Sequence, residues 1–250
     1  MSSFQTPELD FGRIAPRYDE LRNIGERWPE LIELLVREGD LRGRRVLDVG
    51  CGTGRLATLL VERYGCKVWG VDPEPAMIEV ARTRAPEGVG LRLGRAEDIG
   101  FKDGWFERVT MTLVLQLVDR PAAFAEVLRV LQPGGRVAIA TFDYAHFERY
   151  FLNGYFPSFE ARDKERFPSA AQLEEELRAA GFADVRLTRL TQHETVDRET
   201  VLERVRGKHI STFQLISDDE YRSGLERAEQ ELPDELEKVL EWIVAVAVKD

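Results

Sequence analysis

The apolar run Val46-Leu47-Asp48-Val49 leads into Gly50-Cys51-Gly52-Thr53-Gly54-Arg55, and a second run, Val68-Trp69-Gly70-Val71, ends on Asp72. Glycines at alternate positions permit unusual dihedrals and let a ligand approach the backbone with no Cβ in the way. A carboxylate at the end of the next strand can accept hydrogen bonds from both hydroxyls of a ribose. A dinucleotide fingerprint would require a small residue in the sixth place from Gly50, and this chain has Arg55 there. The pair of motifs therefore points to a nucleoside rather than to a pyrophosphate.

Proton-transfer chemistry has few candidates. Tyr144 and His146 lie just beyond a later apolar run, and His209 follows Arg204, Arg206 and Lys208. Each of the three is a candidate base, against the more ordinary reading of a packed or surface residue. The basic run could meet a substrate carboxylate or be a solvated helix face. Cys51 and Cys66 are too few for a disulfide framework, and no metal site is expected without help from distant histidines. Packing within the glycine loop accounts for Cys51 better than nucleophilic catalysis does.

These residues need elements to position them. Between about 40 and 142, short β-branched runs alternate with helical patterns, which is the signature of βαβ units on a parallel sheet. Strands are expected at 45–49, 67–71, 91–93, 108–113 and 136–142, with helices at 55–64, 74–84 and 121–131 and a turn at Pro133-Gly134-Gly135. Residues 142–167 then hold nine of the 19 Phe and Tyr residues. That aromatic insertion could wall an apolar pocket or seat itself on the core. Ser169 and Gln172 form a capping box for a helix ending at Gly181. Strands at 184–190 and 242–248 complete a seven-stranded unit, with polar helices at 198–205 and 218–231 and a solvated acidic helical surface at 226–241.

The expected architecture is thus α/β: a Rossmann-like doubly wound sheet, mostly parallel with an antiparallel last strand, under a helical cover. The chain is expected to be one domain, 1–250. Its core is at about 40–142, 182–190 and 240–250. An N-terminal arm covers 1–39, the aromatic insertion 143–168 and the helical cover 191–238. Its 250 residues, 43% of them hydrophobic, can fill a large core. A net charge of −10 argues against general binding of nucleic acid or an anionic membrane. The start has neither a basic region nor an apolar run, and no stretch is long enough to span a bilayer, so the cytoplasm is the default location.

In order along the chain, these motifs resemble class I S-adenosylmethionine-dependent methyltransferases of the small-molecule type, which includes ubiquinone-pathway and trans-aconitate methyltransferases. Val46 to Gly54 resembles the family's first motif, and Trp69-Gly70-Val71-Asp72 its second. Gly94 to Phe101 resembles the adenine-contacting segment, Phe106 to Leu117 the fourth-strand motif, and Leu128 to Arg136 the segment leading into strand five. The resemblance spans about 44–142 and implies S-adenosylmethionine as cofactor, S-adenosylhomocysteine as product and a small-molecule acceptor. It implies that Asp48, Gly50, Cys51, Gly52, Thr53 and Gly54 hold the methionine part and that Asp72 binds the ribose. Pro73 and Met77 would pack on the nucleoside, Ala96 and Glu97 border the adenine, and Thr112 and Leu113 lie beside the methionine moiety. Tyr18, Asp19 and Arg22 resemble an N-terminal segment that lies over the cofactor.

The sequence departs from the family pattern at two positions. Arg95 stands where an Asp often accepts from the adenine amino group, a task left to Glu97 or a backbone carbonyl. Gly100 replaces a usual proline. Other uses of the fold lack their signatures. Thr112-Leu113-Val114-Leu115 is not the Asn/Asp-Pro-Pro-aromatic motif of nucleic-acid amino methyltransferases. There is no Pro-Cys nucleophile for cytosine C5 chemistry, and Thr112 is not the aspartate of an aminopropyl transferase. The alternative from another class is a non-catalytic protein that binds the same cofactor. An open pocket on the sulfur side would separate the two.

Overall fold

The computed structural model describes residues 15, 18–21 and 28–250. Seven strands form one sheet in the order β3-β2-β1-β4-β5-β7-β6: β1 Arg45–Val49, β2 Lys67–Asp72, β3 Gly90–Leu93, β4 Phe106–Thr112, β5 Leu131–Phe142, β6 Ala183–Asp197 and β7 Glu235–Val248. The first five pair in parallel, and β7 runs antiparallel to both β5 and β6. Around them lie α1 Tyr18–Leu21, α2 Trp28–Gly39, α3 Arg55–Tyr64, α4 Pro75–Arg84, α5 Arg120–Val130, α6 Tyr144–Glu148, α7 Phe159–Arg166, α8 Ala170–Ala179, α9 Arg198–Arg206 and α10 Asp218–Glu231.

The central strands are buried on both faces. Leu47, Val49, Val109, Met111 and Ile139 pack with Phe124 and Val127 of α5 and Leu173 and Leu177 of α8. On the opposite face, Val46, Val68, Ala138 and Val244 pack with Leu31 and Leu35 of α2 and Leu56 and Leu60 of α3. This doubly wound arrangement brings the carboxyl ends of β1, β2 and β4 to one edge, where α/β sheets bind ligands. Local signals fix several helix starts. Glu74 caps α4 ahead of Pro75, Asp119 caps α5, and Ser169 and Gln172 form the reciprocal capping box of α8.

Boundaries differ from expectation in four places. Residues 28–39, expected within an arm, are a helix of the core layer, because Leu31, Ile32, Leu35 and Val36 fall on one buried face. The Pro133-Gly134-Gly135 turn lies inside β5 as a bulge. Leu131 is opposite Phe106 and Arg136 opposite Arg108, and the Gly134 N–H donates to the Lys249 carbonyl at 2.7 Å. Residues 191–197 and 235–238, expected in the helical cover, extend β6 and β7 as an antiparallel ribbon. Glu235 and Glu237 face solvent while Leu236 and Lys238 are half-buried, so the acidic run alternates with the period of a strand. The seat of the aromatic insertion is a third core of its own, where Phe156 and Phe159 pack with Val201, Val205 and Phe213.

Among the described residues, no helix is long and apolar enough to cross a membrane.

Candidate active site

The turn after β1 is held by main chain. Gly50 and Cys51 both donate N–H groups to the Val71 carbonyl, at 2.8 and 3.0 Å, which pins the loop to the end of β2. Gly50 has φ +70°, and a Cβ there would lie 2.4 Å from Val114 Cγ2, so both conformation and space require glycine. Gly52, at φ +51°, is different: a Cβ there would meet nothing within 4 Å. Its backbone borders open space. Gly54, at φ +76°, caps α3.

Asp72 joins the two motifs. One carboxylate oxygen accepts the Gly52 N–H at 2.9 Å and the other the Glu74 N–H at 2.9 Å. An ionised carboxylate has about four acceptor sites, so one on each oxygen remains for a ribose hydroxyl. Burial pushes the Asp72 pKa up, and the two backbone N–H groups oppose that shift. Asp48 accepts a hydrogen bond from Thr110 Oγ1 at 2.8 Å and lies fully inside the protein. Burial, with the charge of Asp72 adding to it and the Thr110 bond opposing it, pushes its pKa up to about 7. The same environment drives the buried Cys51 thiol upward, so it stays protonated and packs against Gly70.

The other expected cofactor contacts lie around this turn. Thr53 Oγ1 donates to Asp19 at 2.9 Å and accepts from Arg84 at 3.1 Å, and Arg84 also pairs with Asp19. The α1 segment bearing Tyr18 is thereby fastened to the glycine loop. Arg22 lies outside the described residues. Pro73 is exposed, and Met77 is buried on the first turn of α4. Ala96 is buried, while Glu97 accepts the Asp119 N–H at 2.9 Å and pairs with Arg95 at 3.4 Å. Glu97 Oε1 is thus taken, whereas the buried Oε2, ion-paired only at the longer distance, makes no hydrogen bond among the described residues. Thr112 Oγ1 is buried at the end of β4 with no hydrogen-bond partner among the described residues. Leu113 follows at φ +53°, a strained conformation for a branched side chain. Its N–H donates to the Ala140 carbonyl at 2.9 Å, and its own carbonyl accepts from Gln116 Nε2 at 2.6 Å. These residues fit S-adenosylmethionine: spare carboxylate lone pairs for the ribose, an open face over Gly52, and an orphaned hydroxyl where the methionine end would lie.

Leu113 also lines a cavity of about 150 Å³ shared with Tyr18, Phe142, His146, Phe147 and Phe167. His146 stacks on Phe142 with ring centroids 4.0 Å apart, and its Nδ1 lies 3.3 Å from the Val239 carbonyl. Burial, with the charge of Lys238 adding to it, pushes its pKa down to about 3. Tyr144 stands outside this lining. Its hydroxyl donates to the Lys164 carbonyl at 2.8 Å and its ring packs near Phe147. The structure thus brings His146, but not Tyr144, to the cavity wall.

His209 and Arg204 line the cavity too, whereas Arg206 pairs with Glu199 and Glu229, and Lys208 lies over the Tyr221 ring. Sequence reasoning missed Gln116, Asp163, Arg166 and Lys238. Asp163 and Arg166 carried one local signal, the spacing of a helical ion pair. Nothing local marked Gln116 or Lys238.

Comparison with known proteins agrees with the geometry. A family model described as a methyltransferase domain matches residues 47–139. An uncharacterized methyltransferase of Mycobacterium tuberculosis is 42% identical over 131 residues, 52% of this chain and 51% of that protein. This chain therefore spans about half the length of that relative. A ubiquinone/menaquinone biosynthesis C-methyltransferase of a Geobacter species is 33% identical over 215 residues, 72% of this chain and 89% of the relative. Among solved structures, an S-adenosylmethionine-dependent methyltransferase from Thermotoga maritima superposes with a TM-score of 0.60 at 24% identity, covering 96% and 98% of the two chains. A phosphoethanolamine N-methyltransferase of Haemonchus contortus, with S-adenosylhomocysteine bound, gives 0.62 at 23% identity over 96% of this chain and 57% of that one. The fold, the glycine turn joined to Asp72 and the long match to a curated methyltransferase together place the chain in the class I S-adenosylmethionine-dependent methyltransferase family, whose cofactor is S-adenosylmethionine.

Proposed function

We propose that the chain transfers a methyl group from S-adenosylmethionine to a small molecule seated in the cavity beside Leu113. One observation carries this: Tyr18 and Leu113, expected next to the cofactor, share a single cavity with Phe142, His146 and Phe167. A protein that only bound the cofactor would need no space on that side. The volume, about 150 Å³, has room for a group the size of one aromatic ring.

Bound S-adenosylmethionine supplies a methyl group on a positively charged sulfur, already activated for in-line displacement. What remains for the protein is alignment and exclusion of water, worth up to ~7–11 kcal/mol in well-oriented systems. Phe142, Phe147 and Phe167 pack on one another with centroids 4.8–6.2 Å apart and keep one wall dry. Asp72 takes the ribose, while Asp48 and the Gly50–Gly54 turn take the methionine end. Leu113, held at positive φ by hydrogen bonds at both of its peptide groups, presents its side chain to the acceptor.

His146 is the polar ring closest to this task. With Nδ1–H donating to the Val239 carbonyl, Nε2 is left as its acceptor. At a pKa of about 3 the ring is neutral at any ordinary pH. It can orient an O–H or N–H of the acceptor without keeping the proton. A carboxylate or thiolate acceptor would need no base. Both cysteines are free and buried, which suits a reducing compartment such as the cytoplasm. The −10 net charge favours a small molecule over nucleic acid as partner.

Calorimetry with S-adenosylhomocysteine tests the first half, and binding is expected. No binding would refute it. Incubation of a metabolite extract with methyl-labelled cofactor tests the second: label should appear in a ring-sized product. Transfer to no component of the extract would favour a cofactor-binding protein instead.

A further inference from the structure

In a chain of net charge −10, the cavity lining holds, among the described residues, three basic side chains, Arg166, Arg204 and Lys238, and one carboxylate, Asp163. Arg166 is only 7% exposed. Its Nη2 donates to Asp163 at 2.6 Å and to Thr212 Oγ1 at 3.1 Å, and its Nη1 makes a long contact of 3.4 Å to Ser211 Oγ. Its Nε is buried and has no hydrogen-bond partner among the described residues. An unmet buried donor costs about 1–3 kcal/mol, more on a charged group, and an acceptor that reached this N–H would recover that cost.

Lys238 lies opposite Glu194 on the β6–β7 ribbon, with Nζ 3.5 Å from its carboxylate. Burial pushes the Lys238 ammonium pKa down. One carboxylate at that distance does not offset the desolvation, and a second anion in the cavity would. Arg204 reaches the same lining from α9. The body of the cavity, by contrast, is aromatic and aliphatic: Phe142, Phe147, Phe167 and Leu240. A flat apolar ring fits that part, and an oxyanion fits the cations.

We propose that the acceptor is an acid: a ring-sized molecule whose carboxylate or phosphate is bound by Arg166, with Arg204 and Lys238 beside it. The proposal rests on the methyltransferase reading given above. Arg166 belongs here rather than a lysine because its planar fork can keep Asp163 on one nitrogen while a ligand oxygen takes Nε. The N–H groups fix the acid's orientation, and that orientation sets which atom of the ring body comes to lie beside Leu113.

The test is calorimetric titration of the protein saturated with S-adenosylhomocysteine, using benzoate, phenyl phosphate and neutral benzamide. Benzoate or phenyl phosphate should bind at least tenfold more tightly than benzamide, and the tighter of the two identifies the anion as carboxylate or phosphate. Arg166→Lys should weaken the preferred acid at least tenfold while leaving S-adenosylhomocysteine affinity unchanged. Should the loss of the buried fork prevent that variant from folding, Arg204→Gln, on a half-buried helix position, should still reduce acid binding severalfold. Benzamide binding as well as the acids, no binding of any of the three, or unchanged acid affinity in both variants would each overturn the proposal. Failure of S-adenosylhomocysteine to bind the parent protein would be a different result. It would overturn the underlying methyltransferase reading, and the acid proposal with it.

Discussion

Around Gly50–Gly54 the proposed cofactor wall is made of main chain, two carboxylates and the buried Thr112 hydroxyl. Around Phe142–Leu240 the proposed acceptor wall is made of side chains drawn from β5, α6, α7, α9 and β7. The first wall is built by one strand-turn-helix unit and the ends of the two neighbouring strands. The second exists only once distant segments have packed into a separate core of Phe156, Phe159, Val205 and Phe213. A wall made of backbone tolerates little change and is shared by many acceptor chemistries. A wall made of side chains can be re-cut without disturbing the cofactor, which is how one fold serves many reactions. If the division is real, substitutions on one wall should leave the other's ligand nearly untouched.

The largest effect is expected at Asp48, where the cofactor wall carries a cost in stability. The unfolded residue ionises near its ordinary 3.8, whereas the buried one ionises near 7. Below pH 4 both states are protonated and there is no penalty. Between 4 and 7 the unfolded chain releases the proton while the native protein keeps it, so stability falls as pH rises. Above 7 the full penalty holds, roughly 4 kcal/mol at ~1.4 kcal/mol per pH unit. Asp48→Asn keeps the Thr110 hydrogen bond and should therefore stabilise the protein by up to that amount at pH 8, with the gain vanishing toward pH 4. Denaturant titration at the two pH values measures it. A gain that did not depend on pH would mean the carboxylate is not the source of the cost.

The next effect, about 3–4 kcal/mol, is expected on the acceptor side with Phe156→Ala. Phe156 is fully buried, 5.0 Å from Phe159 and 4.9 Å from Phe213 between ring centroids, and it fills the space left by Gly224. The loss should appear as faster hydrogen exchange in α7, α9 and α10, with S-adenosylhomocysteine affinity within about threefold of the parent. A tenfold fall in cofactor affinity would break the division between the walls.

The same division explains what the sequence could and could not convey. Val46-Leu47-Asp48-Val49 followed by alternating glycines is a local pattern, and α3 begins and ends where its apolar spacing and Gly65 require. Asp72 was legible because a strand end fixes where its side chain stands. The ribbon was not. Glu235, Glu237 and Glu241 read as a solvated helix because their charge outweighs the alternation of Leu236, Lys238 and Leu240, which only pairing with β6 reveals. Arg166 and Lys238 line one cavity from α7 and β7, and no local periodicity relates positions so far apart. The α2 helix, by contrast, carries a readable apolar face at Leu31, Ile32, Leu35 and Val36, which sets it in the core layer rather than in an arm.

On the cofactor side, Asp72→Ala should cost about 2–3 kcal/mol of cofactor binding, a loss on the order of 100-fold, because it removes the ribose acceptor and releases the Gly52 N–H that shapes the turn. Isothermal titration with S-adenosylhomocysteine reads this directly. Affinity for an acid such as benzoate, measured at saturating S-adenosylhomocysteine, should change little. Wild-type cofactor affinity in this variant would remove Asp72 from the site.

The smallest effect is expected at Tyr144, and it sharpens the boundary of the acceptor wall. This tyrosine is only two residues from His146 and is likewise a candidate base on sequence grounds. Its hydroxyl, however, donates to the Lys164 carbonyl at 2.8 Å and approaches the Phe167 carbonyl at 3.3 Å, tying α6 to the end of α7. Tyr144→Phe leaves the ring near Phe147 and removes only this tie, for about 1 kcal/mol of stability. Turnover should stay within about twofold once the protein is folded, because the hydroxyl does not border the cavity. A tenfold fall in kcat at unchanged stability would mean that α6 turns in the working enzyme to carry Tyr144 inward. The acceptor wall would then be set by a movement of that short helix rather than by the packing of Phe142, Phe147 and Phe167.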